Sequence, residues 1–166
     1  SFPALSLGME HGDLDVMERE PRAANEGIFA NGLGIDVLYQ GILIAGLTIL
    51  SYFVGHYLEF GIFGFGDSAQ GMTMAFMTMS LAEIFHSFNM RCQRQSILSL
   101  KSHNKFLLLA MAFSFVLTTM LIYVPVLRTI FGLTKITIVE YVIAIGIAFV
   151  VIPVVEIVKF IQRKVG

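Results

Sequence analysis

The chain has 166 residues, 56% of them hydrophobic and only 14% charged, and its mean hydropathy is +0.78. Soluble domains run at roughly 45–50% apolar and 25% charged, so the excess must face lipid or other helices, which makes a soluble helical bundle a distant reading. A formal net charge of −1 excludes nucleic acid as a partner, since phosphate binding needs a cationic surplus, and the lone Cys92 forms neither an internal disulfide nor a structural metal site.

The first residues carry neither the basic start nor the cleavage site of a signal peptide, and with Ser1 in place of a methionine the expectation is a piece of something longer. Gly12 to Arg22 reads G-D-L-D-V-M-E-R-E-P-R, a mix of both signs that no core accepts. It is either a solvated loop or a contact surface for a soluble domain. The first apolar run, Val37 to Gly55 within about 34–56, has the ~20 residues needed to cross ~30 Å of hydrocarbon. Gln40, Thr48 and Ser51 interrupt it mildly, and Gly41 with Ala45 offers small-residue spacing for helix packing. Tyr57 to Ser68, with Gly61, Gly64 and Gly66 among aromatic residues, reads as a tight interfacial turn.

The second run covers 69–90 and is broken only by Glu83 and His86. After the polar link Arg91 to Lys105, the third run, 106–127, holds no charged residue and is the plainest span. The link Arg128 to Lys135 is short enough to make its neighbours antiparallel. The fourth run, 136–158, has Glu140 and Glu156 near its ends, Ala144 and Ala148 at packing spacing, and Pro153 within it, which bends it late. The fold expected is all-α, an integral membrane bundle of four transmembrane helices.

Cytoplasmic loops keep Lys and Arg. Arg19, Arg22, Arg91, Arg94, Lys101, Lys105, Lys159, Arg163 and Lys164 fall on one side and only Arg128 and Lys135 on the other. Both termini and the link after the second run are therefore expected in the cytoplasm.

Glu83 is the position richest in chemistry, because a carboxylate inside a spanning helix is costly. Hard cations such as calcium take carboxylate oxygens, but calcium needs ~6–8 of them, so the remainder must come from helices outside this chain. A protonated or hydrogen-bonded Glu83 used for packing is the equal alternative on chemistry alone. His86, at i+3, shares the face; imidazole suits zinc or copper better than calcium, so it reads as a hydrogen-bonding neighbour. Ser80 and Ser87 lie close to that face, although such hydroxyls usually bond their own backbone. Glu140 and Glu156 read as interfacial residues, and Glu156 with Lys159 as an i, i+3 pair.

The run S-F-P-A-L-S-L-G at 1–8, followed by the pattern D-x-M-x-R-x-P-R on Asp15, Met17, Arg19, Pro21 and Arg22, resembles the end of the sixth membrane helix and the next cytoplasmic loop of P-type cation pumps. N-M-R-C-Q-R-Q-S-I at 89–97 is similar to the exit of their eighth helix, and E-I-V-K-F-I-Q-R at 156–163 to the end of the tenth helix of calcium pumps. The resemblance implies that residues 1–9 close a preceding membrane helix, 10–33 form a cytoplasmic loop, and 34–166 hold helices seven to ten. In endoplasmic-reticulum-type calcium pumps a glutamate twelve residues before the Gln-Ser pair, here Gln95 and Ser96, is a calcium ligand. Glu83 occupies that position, where sodium/potassium and plasma-membrane-type calcium pumps typically carry glutamine. His86 replaces a small amide of the animal pump.

By the same resemblance, Asp13, Asp15, Glu18, Arg19 and Arg22 form a loop that couples to the phosphorylation domain. The principal ion-binding aspartate of the sixth helix would lie just before Ser1. The motif D-K-T-G-T and a nucleotide site are absent from this sequence, so ATP and magnesium belong to the full-length parent and calcium is its transported ion. The expected partners are the lipid bilayer and the parent's other membrane helices and cytoplasmic domains. The simple tail suggests the plasma membrane of a prokaryote. The competing expectation is a free-standing four-helix membrane scaffold or small channel that hydrolyses nothing.

Overall fold

The computed structural model describes residues 2–9, 33–91 and 105–165, and among them there is helix and connection but no strand. The helices are α1 (Phe2–Leu7), α2 (Leu33–Phe60), α3 (Ala69–Asn89), α4 (Lys105–Tyr123), α5 (Pro125–Ile130), α6 (Ile138–Phe149) and α7 (Val151–Val165).

α2 has 28 residues and so a length of about 42 Å at 1.5 Å per residue. It outruns the expected end near 56 because the glycine that stops it is Gly61, in the left-handed region at φ 72°. The Gly61 N–H donates to the Tyr57 carbonyl at 2.8 Å, which closes the helix as a left-handed cap does. The chain then turns within 61–68 into α3, whose N-cap is Ser68: its Oγ accepts from the Gly71 N–H at 2.8 Å. Glu59, from the last turn of α2, accepts from Ser68 Oγ at 2.6 Å and from the Gln70 N–H at 3.1 Å. A carboxylate is thus held at the positive end of α3.

The α2–α3 hairpin is close. A Cβ on Gly55 would stand 2.7 Å from Gly71 Cα. Farther along, Ser51 Oγ donates to the Met74 carbonyl at 3.1 Å, and Thr78 Oγ1 donates to Ser51 Oγ at 2.7 Å. α3 is the central helix, touching α2, α4, α6 and α7. Met74, Met77, Leu81 and Ala82 of α3 are fully buried with Ile122, Ala144 and Ala148.

The third run was expected to continue to Leu127, yet α4 stops at Tyr123 because Pro125 follows. The residue before a proline is pushed out of the helical region, and Val124 sits at φ −84°, ψ 115° with Pro125 opening α5. α5 closes on Gly132, at φ 64°, where Gly132 N–H donates to Thr129 O and Leu133 N–H to Arg128 O, the paired bonds of a Schellman turn. The fourth run is two helices that meet at Val150. Pro153 has no N–H for the Phe149 carbonyl and its ring crowds that oxygen, which places the break there.

Two ends of the bundle are defined by contacts. Asp36 of α2 accepts from Gln162 of α7 at 2.7 Å, and Lys159 of α7 donates to the Asn89 carbonyl of α3 at 2.6 Å. At the other end Thr73 Oγ1, in the second turn of α3, accepts from the Thr134 N–H at 2.9 Å.

Three helical stretches are long and apolar enough to cross a membrane: Leu33–Phe60, Lys105–Tyr123 and Ile138–Gln162. Only 11% of the apolar window of the first is buried, and Ile42, Leu109 and Val142 are 65%, 69% and 59% exposed. Apolar surface of that extent demands lipid or protein cover, and the molecule is a multi-pass membrane protein.

Candidate functional site

Glu83 lies on an exposed face of α3 and opens on a cavity of about 240 Å³ lined by Phe2, Pro3, Ser80, Glu83, Ile84, Ser114, Leu117 and Thr118. Three helices build it. α1 supplies Phe2 and Pro3, α3 supplies Ser80 with Glu83, and α4 supplies Ser114 and Thr118. Ser80 and Glu83 are at i, i+3 and Ser114 and Thr118 at i, i+4, so each pair shares a helical face. Thr118 Oγ1 donates to the Ser114 carbonyl at 2.9 Å, which satisfies its proton and leaves its oxygen able to accept. Phe2 packs edge-on to Phe113, with ring centroids 5.2 Å apart, fixing α1 over this wall.

The cavity therefore combines one carboxylate with three hydroxyls among apolar side chains. Glu83 makes no hydrogen bond or ion pair among the described residues. That donor set is hard, and it suits calcium, sodium or a proton better than a soft metal. It is also incomplete for calcium, which takes ~6–8 oxygens. Among the described residues no three His, Cys, Asp or Glu side chains gather to hold a metal.

His86 does not line the cavity. It is half-buried, and its Nδ1 has no hydrogen-bond partner among the described residues. Ser87 turns inward and donates to the Ile84 carbonyl at 2.6 Å, the self-bonding that hydroxyls in apolar helices adopt. Glu140 is 5% exposed and caps α6: its carboxylate accepts from Thr137 Oγ1 at 2.8 Å while Thr137 accepts from the Glu140 N–H, a complete capping box. Glu156 and Lys159 form the expected pair, at 3.9 Å. Asp13, Asp15, Glu18, Arg19 and Arg22 lie outside the described residues, as do Cys92, Gln95 and Ser96.

Sequence reasoning missed Ser114 and Thr118. The trace they leave is a hydroxyl pair at helical spacing in an otherwise apolar run, which says nothing about the helix it faces.

Residues 1–161 match the family described as "Cation transporting ATPase, C-terminus". The chain is 38% identical over 164 residues to "Calcium-transporting ATPase 1" of Lactococcus lactis, covering 98% of this chain and 18% of that protein. It is 33% identical over 147 residues to a calcium-transporting ATPase of Bacillus subtilis, covering 89% and 16%. A calcium-transporting ATPase of Listeria monocytogenes is 34% identical over 166 residues, covering 99% and 18%. The chain thus spans less than a fifth of the length of these relatives.

Proposed function

This chain belongs to the cation transporting ATPase C-terminal family, and from that membership we propose that it is the closing membrane segment of an ATP-driven calcium pump in which Glu83 supplies a carboxylate to the transported ion. The observation that carries the reading is a carboxylate with no hydrogen bond or ion pair among the described residues, on a hydroxyl-lined cavity between α1, α3 and α4. A carboxylate at membrane depth is held for a cation or a proton, and the relatives are named as calcium transporters. The missing oxygens come from helices of the parent outside this chain, and His86, one turn on from Glu83 along α3, makes no bond to it among the described residues.

On this reading residues 1–9 close a preceding membrane helix and 10–33 are a cytoplasmic loop. α2, α3, α4 and the α6–α7 pair are four spanning helices, with α3 the least apolar because its neighbours enclose it. Asp13, Asp15, Glu18, Arg19 and Arg22 couple the segment to the domain that takes a phosphoryl group from magnesium-bound ATP. Both termini face the cytoplasm of a prokaryote, supported by the surplus of basic residues at the end marked by Arg91, Lys105, Lys159 and Lys164.

The test is calcium-dependent phosphorylation of the full-length pump carrying Glu83→Gln. Losing a charged ligand interaction of roughly 1.5–3 kcal/mol is expected to raise the half-saturating calcium concentration by one to two orders of magnitude. An unchanged calcium dependence removes Glu83 from the site.

A further inference from the structure

Another polar cluster lies where α3 ends against α7. Lys159 is 3% exposed and Asn89 is fully buried, a costly placement for an ammonium in a helix of this apolarity unless its partners are good. Its Nζ donates to the Asn89 carbonyl at 2.6 Å and stands 3.9 Å from Glu156 Oε1. In return the Asn89 side-chain Nδ2 donates to the Val151 carbonyl, in the first turn of α7, at 3.3 Å. The last residue of α3 is thus tied to α7 through both its backbone and its side chain.

The tie answers a specific need. The final carbonyls of a helix have no partner within it. The Met90 N–H takes that of His86 and the Arg91 N–H that of Phe88, and Lys159 takes that of Asn89, its positive charge placed on the negative end of α3. Stability alone does not account for the arrangement, because two buried atoms of the same turn, His86 Nδ1 and Asn89 Oδ1, lack hydrogen-bond partners among the described residues. A buried group left in that state calls for an explanation other than the closing of the helix.

We propose that Lys159, acting through Asn89, is a positioning residue that fixes the height and rotation of α3 and so sets where Glu83 meets the transported cation. Glu83 lies six residues, about 9 Å of helix, before Asn89. Lys159 does not line the Glu83 cavity, so it acts through the helix and not by contact with the ion. The opposite end of α3 is held by Ser68 and Glu59, and a rigid helix fastened at both ends presents its middle in one place. The inference rests on the assignment of Glu83 as an ion ligand.

The experiment measures calcium-dependent phosphorylation of the full-length pump in membranes. Lys159→Met keeps the stem and removes the ammonium. It is expected to raise the half-saturating calcium concentration about tenfold, the usual scale for a group that orients a metal ligand, with phosphoenzyme at saturating calcium and the ATP dependence unchanged. Lys159→Arg, which retains charge and donors, restores the affinity. Asn89→Ala cuts the second tie without uncovering a charge, and it shifts the calcium dependence the same way even if the lysine variant fails to accumulate. In the Glu83→Gln background, neither substitution adds a further shift. A normal calcium dependence in both Lys159→Met and Asn89→Ala overturns the positioning role while leaving Glu83 in place, and so does a shift that adds in full to that of Glu83→Gln. If Glu83→Gln itself has no effect, the ligand assignment fails and the positioning role fails with it.

Discussion

Three glutamates of similar sequence surroundings have different fates, and hydrogen bonding accounts for the difference. Glu140 is buried yet satisfied, because it and Thr137 exchange bonds at the start of α6. Glu59 is spent on Ser68 and the Gln70 N–H. Glu83 is left facing a cavity with no bond among the described residues. Thr137→Ala is accordingly expected to cost about 1 kcal/mol, the usual value of an N-cap, seen as a lower unfolding midpoint in detergent with unchanged calcium affinity. Glu83 was legible in the sequence because charge inside an apolar run is rare and expensive. Ser114 and Thr118 were not, since hydroxyls in such helices commonly bond their own backbone, as Thr118 does. Lys159 reads as one more tail cation, and only packing reveals it as an interior group.

At the level of elements, the apolar runs foretold where helices lie, and local chemistry decided where they stop. The α3 limits follow from Ser68 at one end and the turn at Met90 and Arg91 at the other. Pro125 and Pro153 cut the third and fourth runs into pieces that hydropathy alone leaves joined. Small-residue spacing was an unreliable guide to helix contact. Gly41 meets nothing within 4 Å and Ala45 is exposed, while Ala144 and Ala148 are wholly buried. The tight crossing belongs instead to Gly55 and Gly71, on different helices, where a Cβ on Gly71 would stand 2.9 Å from the Tyr52 carbonyl. Gly71→Leu is therefore expected to destabilise the bundle by about 1–3 kcal/mol, as overpacking does, and Gly41→Ala to leave it unchanged. Unfolding of the two purified variants side by side measures this.

For the molecule as a whole, the two ends of the bundle are set by contacts distant in sequence, Asp36 with Gln162 and Thr73 with Thr134. With the bond from Lys159 to Asn89, the first of these puts the start of α2, the end of α3 and the end of α7 together, and the basic residues gather at that end. The orientation proposed from that asymmetry has a direct check. A cysteine in place of exposed Asp67, in the α2–α3 turn, is expected to react with an impermeant maleimide on intact cells, and Cys92 only after the membrane is opened. The reverse pattern inverts the topology.

The centre of the bundle is occupied by the helix least suited to lipid by itself. α3 carries Glu83, His86 and Asn89 along its later half and is absent from the three stretches apolar enough to span alone, yet it touches five of the other helices. During synthesis it has little reason to leave the translocon unaided. Joined to α2 by eight residues and capped by α2's own Glu59, it enters as the second arm of a hairpin whose first arm is already dissolved in the bilayer. Lengthening that short connection would delay or prevent its integration, even though no residue of the Glu83 cavity had been touched.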